Sequence, residues 1–186
     1  MKAILGKLND ELLVNLAIRS KPFCSHVYAA VAYAEGKDHQ LVRRCKEYQQ
    51  HLTFYGLLDD SGAVAAPFLR ELLAWGPSLA DAHLVKGNFH AKVVWWRGFG
   101  AYVGSANLTH KAWFNNVEAG IFIEEDELAS SGVGEDLDSL FAYLAAHSIP
   151  VSDEVVNKLE SLAKDRKAIA DQEATLKSKF SMIWSR

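Results

Sequence analysis

His90-Ala91-Lys92 and Gly104-Ser105-Ala106-Asn107, with Glu118 eleven residues beyond, bring an imidazole, an ammonium, a hydroxyl, an amide and a carboxylate into one short span. An imidazole can act as nucleophile or as acid and base near neutral pH. Ammonium and amide N–H groups are donors, suited to an oxygen on which negative charge builds. Taken singly, a strand His is ordinarily a satisfied side chain, a Lys is solvated, and Ser and Asn after a strand are caps or turn residues. What singles these residues out is their joint spacing in an apolar setting, which is the composition of an oxyanion site.

Strands must position them. Phe89–Trp96 and Ala101–Gly104 read as strands around the turn-like Arg97-Gly98-Phe99-Gly100. Because strand side chains alternate, His90 and Lys92 share a face with Val94 and Trp96, while Ala91, Val93 and Trp95 take the other. Large apolar groups on both faces mark an interior strand. If Gly98 and Phe99 form a two-residue loop, Lys92 faces Ser105 and His90 faces Asn107, giving one polar patch. Moving the loop to Arg97-Gly98 preserves the shared face; an odd loop length would break it. A lysine buried there without a partner costs several kcal/mol, so its presence asks for a chemical reason.

The surrounding pattern predicts helices over Leu12–Ile18 (begun near Leu8), Asp38–Gln49, Pro67–Trp75, Glu135–His147 and Ser152–Phe180, and strands over His26–Ala34, His51–Leu58, Ala82–Val85 and Asn116–Glu124. Pro67 suits a first helical turn, Gly76-Pro77 a stop, and Ser152 an N-cap. The expected class is α/β, an α/β/α sandwich with a mixed central sheet plus C-terminal helices. Residues 1–150 are expected to form the catalytic domain and 151–186 a helical extension packed on that domain or on a dimer partner. Its stripe of Val155, Val156, Leu159, Leu162, Ile169, Leu176 and Phe180 is interrupted at Arg166. The glycine-rich fingerprints of dinucleotide and P-loop folds are absent, which disfavours a doubly wound nucleotide-binding domain.

Composition bounds the rest. The 186 residues, 49% hydrophobic and 23% charged, describe an ordinary globular chain. Two cysteines, Cys24 and Cys45, make neither a disulfide framework nor a metal-ligand pair. The charged N-terminus and the lack of a long apolar run lead us to expect a cytoplasmic protein without a membrane segment. The net charge of −3 is uneven: residues 1–123 hold 13 Lys and Arg against 10 Asp and Glu, whereas the remainder holds 7 against 13. An anionic substrate is therefore expected to meet the first two thirds.

His90-x-Lys92 followed by Gly104-Ser105-x-Asn107 resembles the signature of the phospholipase D superfamily. Leu108-Thr109 and Glu118-Ala119-Gly120 are similar to the residues after that signature in nuclease-type members, including nuclease domains of restriction systems. One departure is Arg97, where that family commonly has Asp. The resemblance implies a phosphodiester hydrolase that needs neither metal nor cofactor, in which His90 Nε2 attacks phosphorus. Lys92 and Asn107 would hold the non-bridging oxygens, Ser105 would support them, and Glu118 would accept the other imidazole N–H. A second His must protonate the leaving oxygen, yet the chain contains no second His-x-Lys. A homodimer with one composite site would supply it, as in single-motif members.

DNA is the favoured substrate, with Arg97 and Lys111, together with Arg43, Arg44, Lys46 and Lys86, available to phosphates and Trp113 to unpaired bases. A phospholipid phosphodiesterase and a non-catalytic nucleic-acid-binding or dimerisation module are the alternatives.

Overall fold

The β-branched and aromatic runs of the sequence become the strands of one mixed sheet. In the computed structural model, which describes the backbone of residues 2–6, 12–36 and 38–184 and the side chains of 12–36 and 38–178, the chain orders as β1 (Lys2–Gly6), α1 (Leu12–Arg19), β2 (His26–Val31), α2 (Gln40–Tyr48), β3 (His51–Leu58), α3 (Ala66–Trp75), β4 (Ala80–Lys86), β5 (Lys92–Trp96), β6 (Gly100–Gly104), α4 (His110–Phe114), β7 (Glu118–Glu124), α5 (Glu125–Ser131), α6 (Val133–Ala146), β8 (Ser148–Pro150) and α7 (Asp153–Trp184). The predicted helix start near Leu8 lies outside the described residues.

The spatial order is β1-β7-β6-β5-β2-β3-β4-β8. Strands β2, β3 and β4 run parallel, joined through α2 and α3, and every other neighbouring pair is antiparallel. Helical crossovers are what parallel neighbours require, and the β5–β6 hairpin is what antiparallel neighbours permit. Two apolar layers cover the sheet. One gathers Val27, Ala29, Phe54, Val94, Trp96 and Tyr102 with Leu13, Leu41, Phe68, Leu72 and Val156 from the helices. The other gathers Ala30, Tyr55, Val93, Trp95, Ala101 and Ile123 with Leu128, Leu137 and Phe141. The chain is thus the expected α/β/α sandwich with a mixed sheet.

The hairpin departs from the expected register. Val93 pairs with Val103, Val94 with Tyr102 and Trp96 with Gly100, so the loop is Arg97-Gly98-Phe99. Its Phe99 N–H donates to the Trp96 carbonyl at 2.9 Å, and Gly98 takes φ +91°, a conformation that glycine adopts without a Cβ penalty. Three loop residues shift the pairing by one, and Lys92 then falls opposite Gly104 rather than Ser105. Strand β5 also begins at Lys92, leaving His90 just before it.

The C-terminal helix packs on the domain through its first half. Arg70 of α3 meets Asp153 at 2.7 Å, Asn157 at 2.8 Å and Glu160 at 3.1 Å, and Val156 is fully buried. Ser152 Oγ accepts from the Val155 N–H, as an N-cap should. Beyond Leu159 the expected stripe is uncovered: Leu162, Ile169 and Leu176 are all more than half exposed.

Candidate active site

The carboxyl ends of β2, β3, β4 and β6 and the amino ends of β5 and β7 share one edge of the sheet, and in open α/β sheets that edge is where crevices form. There the Ala32 N–H donates to the Ala91 carbonyl at 3.0 Å, carrying the β2–β5 pairing past the end of the strand and fixing His90 beyond it. The segment after β6 runs beside the segment after β2: the Leu108 N–H reaches the Tyr33 carbonyl and the Glu35 N–H reaches the Leu108 carbonyl, both at 3.0 Å.

His90 is exposed and Lys92 buried, so an accessible ring stands over a desolvated cation. Lys92 Nζ donates to the His90 carbonyl at 3.0 Å and lies 2.9 Å from His90 Nδ1 and 3.3 Å from Nε2. Burial pulls the Lys92 ammonium below the usual lysine range, and the Glu118 carboxylate opposes that pull. The edge of the Tyr33 ring packs against His90 with centroids 5.9 Å apart.

The second half of the site centres on Glu118, itself buried. Ser105 Oγ bonds its Oε2, and Asn116 Nδ2 donates to its Oε1 at 3.1 Å. Ser105 Oγ also accepts the Ala119 N–H at 2.9 Å, while its own N–H donates to the Ala119 carbonyl at 2.8 Å. Asn107 Oδ1 is buried without a hydrogen-bond partner among the described residues. The Glu118 carboxylate acts on the Lys92 ammonium, so the Ser105–Glu118 pair adjoins the His90–Lys92 pair, by a route other than the expected cross-strand pairing. Ser105 lies one residue past β6, where strand alternation no longer fixes its direction.

The motif glycine has a packing cause. A Cβ on Gly104 would collide with Tyr102 Oη and the Ala119 carbonyl, and one on Gly120 would strike the Tyr102 ring. The ring lies across both glycines, and its hydroxyl accepts the Ala106 N–H at 3.3 Å, steadying the turn that carries Ser105 and Asn107. Sequence reasoning missed Tyr33, Tyr102 and Asn116. Only Tyr102, between strand residues and close to a motif glycine, left a readable trace.

The structure corrects two proposed substrate contacts. Trp113 is 2% exposed and packs edge-on against His39 at 4.6 Å, so its ring is core and closed to a base. Arg97 sits in the hairpin loop at the opposite edge, 3.3 Å from Asp138 and over the Trp95 ring. Lys111 is exposed on α4, four residues after Asn107, and Lys86 is exposed at the carboxyl end of β4. Of the helix α2 cations, Arg44 pairs with Glu47 and Lys46 lies over Trp75. Among the described residues no group of three or more His, Cys, Asp or Glu has an arrangement that could hold a metal, and no helix is long and apolar enough to cross a membrane.

An imidazole, a buried ammonium and a Ser–Glu pair stand together at the strand ends of this sandwich, groups able to hold and attack an oxyanion. A family model described as cardiolipin synthase, PLD-like domain, matches residues 60–135, the stretch that contains His90, Lys92, Ser105, Asn107 and Glu118. No curated protein sequence matches the chain. The fold is similar to NucT from Helicobacter pylori, with a TM-score of 0.64 and 13% identity over 81% of this chain and 98% of that one. It is similar to Nuc from Salmonella typhimurium, a phospholipase D family member, with a TM-score of 0.55 and 17% identity over 82% and 99%. A phosphatidylserine synthase from Haemophilus influenzae aligns with a TM-score of 0.59 and 15% identity over 92% of this chain and 45% of that one. The fold is thus shared with structures of phospholipase D type, and the family model covers the stretch that carries the candidate site.

Proposed function

We propose that the protein is a nuclease, cleaving DNA through a phosphohistidine in a composite site built by two copies of the chain. The observation that carries this reading is the exposed His90 ring 2.9 Å from a buried ammonium at the crevice edge. A phosphodiester entering there gives Lys92 Nζ and Asn107 Nδ2 two non-bridging oxygens to hold, which stabilises the charge of the pentacovalent state. Lys92 leaves the ring for phosphate, and the ring proton passes to the nitrogen that Glu118 can accept from. His90 Nε2 then forms a bond to phosphorus as the P–O bond to the leaving alkoxide breaks. That alkoxide takes a proton from His90 of the second copy. The same second imidazole next deprotonates water, whose oxygen bonds to phosphorus as the P–N bond breaks, restoring both rings. Ser105, bound to Glu118 and the Ala119 N–H, holds the carboxylate in place, and Lys111 and Lys86 contact flanking phosphates.

A lipid substrate is the second reading, favoured by the lipid-synthase description of the matching family model. The two separate in one assay. Purified protein in EDTA is offered single-stranded DNA, duplex DNA, RNA and cardiolipin vesicles, beside His90→Ala. Cleavage of DNA that His90→Ala abolishes supports the nuclease. Turnover of vesicles alone moves the assignment to lipid, and DNA binding without turnover in either protein would leave a binding module.

A further inference from the structure

Helix α7 leaves the body of the protein at a definable place and in a definable direction. It is antiparallel to α3: Asp153, Asn157 and Glu160 meet Arg70, and Leu159, Glu160 and Ala163 lie beside Ala65–Pro67 at the start of α3. One turn beyond Ala163, Arg166 Nη1 donates to the Asp60 carbonyl and its guanidinium lies against Gly62. Asp60 and Gly62 directly follow the carboxyl end of β3, so at Arg166 the helix has reached the sheet edge that carries His90 and Lys92. Residues 167–184 continue past that edge, a length of roughly 27 Å at the helical rise. The part of the molecule that overhangs thus leaves the sheet at the same edge as the candidate site.

The overhang is patterned. Leu162, Ile169 and Leu176 recur every seven residues and are 53%, 56% and 55% exposed. That spacing keeps side chains on one seam of a helix packed against another. Residues flanking such a seam meet differently in the two orientations. In an antiparallel pair crossing at Ile169, Arg166 of one helix lies beside Glu173 of the other, opposite in charge, and this happens twice. In a parallel pair the flanking contacts are Ser161 with Arg166 and Ala168 with Glu173, which gives no ion pair.

We propose that the outer half of α7 is an arm that pairs antiparallel with the same helix of a second copy, crossing at Ile169, with Leu162 of each copy against Leu176 of the other. This rests on the reading of a composite site between two copies. A two-fold axis that faces two catalytic edges runs between them, on the side of the edge past which α7 carries Ile169, one turn beyond Arg166. One axis serves both contacts. Three apolar residues per arm form too small a seam to hold a dimer unaided; the arms reinforce the contact of the edges and flank the crevice in which substrate lies.

The test uses the full chain, whose native Cys24 and Cys45 are buried and stay out of the reaction. Ile169→Cys is oxidised at micromolar concentration, and Leu162→Cys is mixed with Leu176→Cys. The arm predicts a covalent dimer for Ile169→Cys, and a covalent dimer for the mixture that neither of its two variants forms alone. It also predicts at least a tenfold rise in the dimer dissociation constant for Ile169→Glu, by sedimentation, with unchanged circular dichroism. A chain of twice 20.6 kDa whose Ile169→Cys variant stays uncrosslinked overturns the arm and leaves the composite site standing. A chain that cleaves substrate as a monomer overturns the composite site. Crosslinked arms with cleavage insensitive to His90→Ala uphold the pairing and overturn the catalytic reading.

Discussion

Histidines stand at both edges of this sheet, and only one edge is built for reaction. At the amino ends of β2 and β3, His26 Nε2 is 2.8 Å from Thr53 Oγ1, its ring stacks on Tyr28 at 4.2 Å, and His51 spans Asp81 at 3.0 Å and the Ser78 carbonyl at 3.2 Å. The partners there are neutral or anionic groups inside the protein. At the other edge His90 is exposed, and its close neighbour is a buried cation that donates only. Burial, with His51 and Arg97 nearby, pulls His26 down to about 4, which keeps it neutral and inert. Counting titratable residues does not distinguish the two edges; the group in direct contact with the ring and the openness of the ring do.

The contrast predicts unequal consequences of matched substitutions. His90→Ala is expected to lower phosphodiester cleavage by about 10³-fold or more, as loss of a covalent nucleophile does. His26→Ala, its counterpart, keeps cleavage within about threefold while lowering the urea midpoint by the equivalent of about 1–2 kcal/mol, the loss of one hydrogen bond and a ring stack. If the two rank the other way, the assignment of edges is wrong. Lys92→Met is the next largest effect. Removing the oxyanion donor should cost about 10²–10³-fold in kcat, while replacing a buried ammonium by an apolar chain should raise Tm or leave it unchanged. A fall in both would make Lys92 a structural residue.

Smaller effects sharpen the same contrast. Trp113→Ala should destabilise by about 3–5 kcal/mol through the cavity it leaves, and at temperatures where the variant is folded its KM for DNA should match wild type, since the ring is closed to bases. Acid should weaken the fold through histidines held neutral by burial, His26 at about 4 and His39 at about 3. Below an ordinary value of 6.5 the unfolded chain takes up protons that the folded chain refuses. This contribution is therefore complete above about pH 6.5 and is lost progressively as pH falls towards about 4. Urea midpoints at about pH 7.5, 5.5 and 4.5 measure it, and His26→Gln should flatten the slope. Arg97→Ala should change least, within about 0.5 kcal/mol for an exposed ion pair, with cleavage unaltered.

What the sequence reveals and what it hides both depend on the range of the interactions involved. His90 and Lys92 are legible because their types conflict with the apolar strand around them, and Ser105, Asn107 and Glu118 because of their spacing from that pair and the family signature they resemble. The layers are legible because Val93 to Trp96 bury both faces. The hairpin register is not, because a single extra loop residue, accommodated by Gly98, reverses the pairing parity without altering composition. Trp113 and Arg97 mislead for a related reason: an aromatic residue beside a lysine reads alike in a core and at an interface, and only the packing against His39 or the position at the far edge decides. The short β8 with its terminal Pro150, and α5, which continues from β7 without a break, carry too few residues for a period to emerge.

One pairing reaches further than its place at the sheet margin suggests. Strand β1 zips along β7 from Lys2 opposite Phe122 to Gly6 opposite Glu118. The ladder that ends on the site's carboxylate is thus made by the opening residues of the chain. Trimming them would unmask β7 as a raw margin, free to recruit a foreign strand and loosening the grip on Glu118. Loss of residues 2–6 is therefore expected to disturb Glu118 as well as to leave a strand edge open.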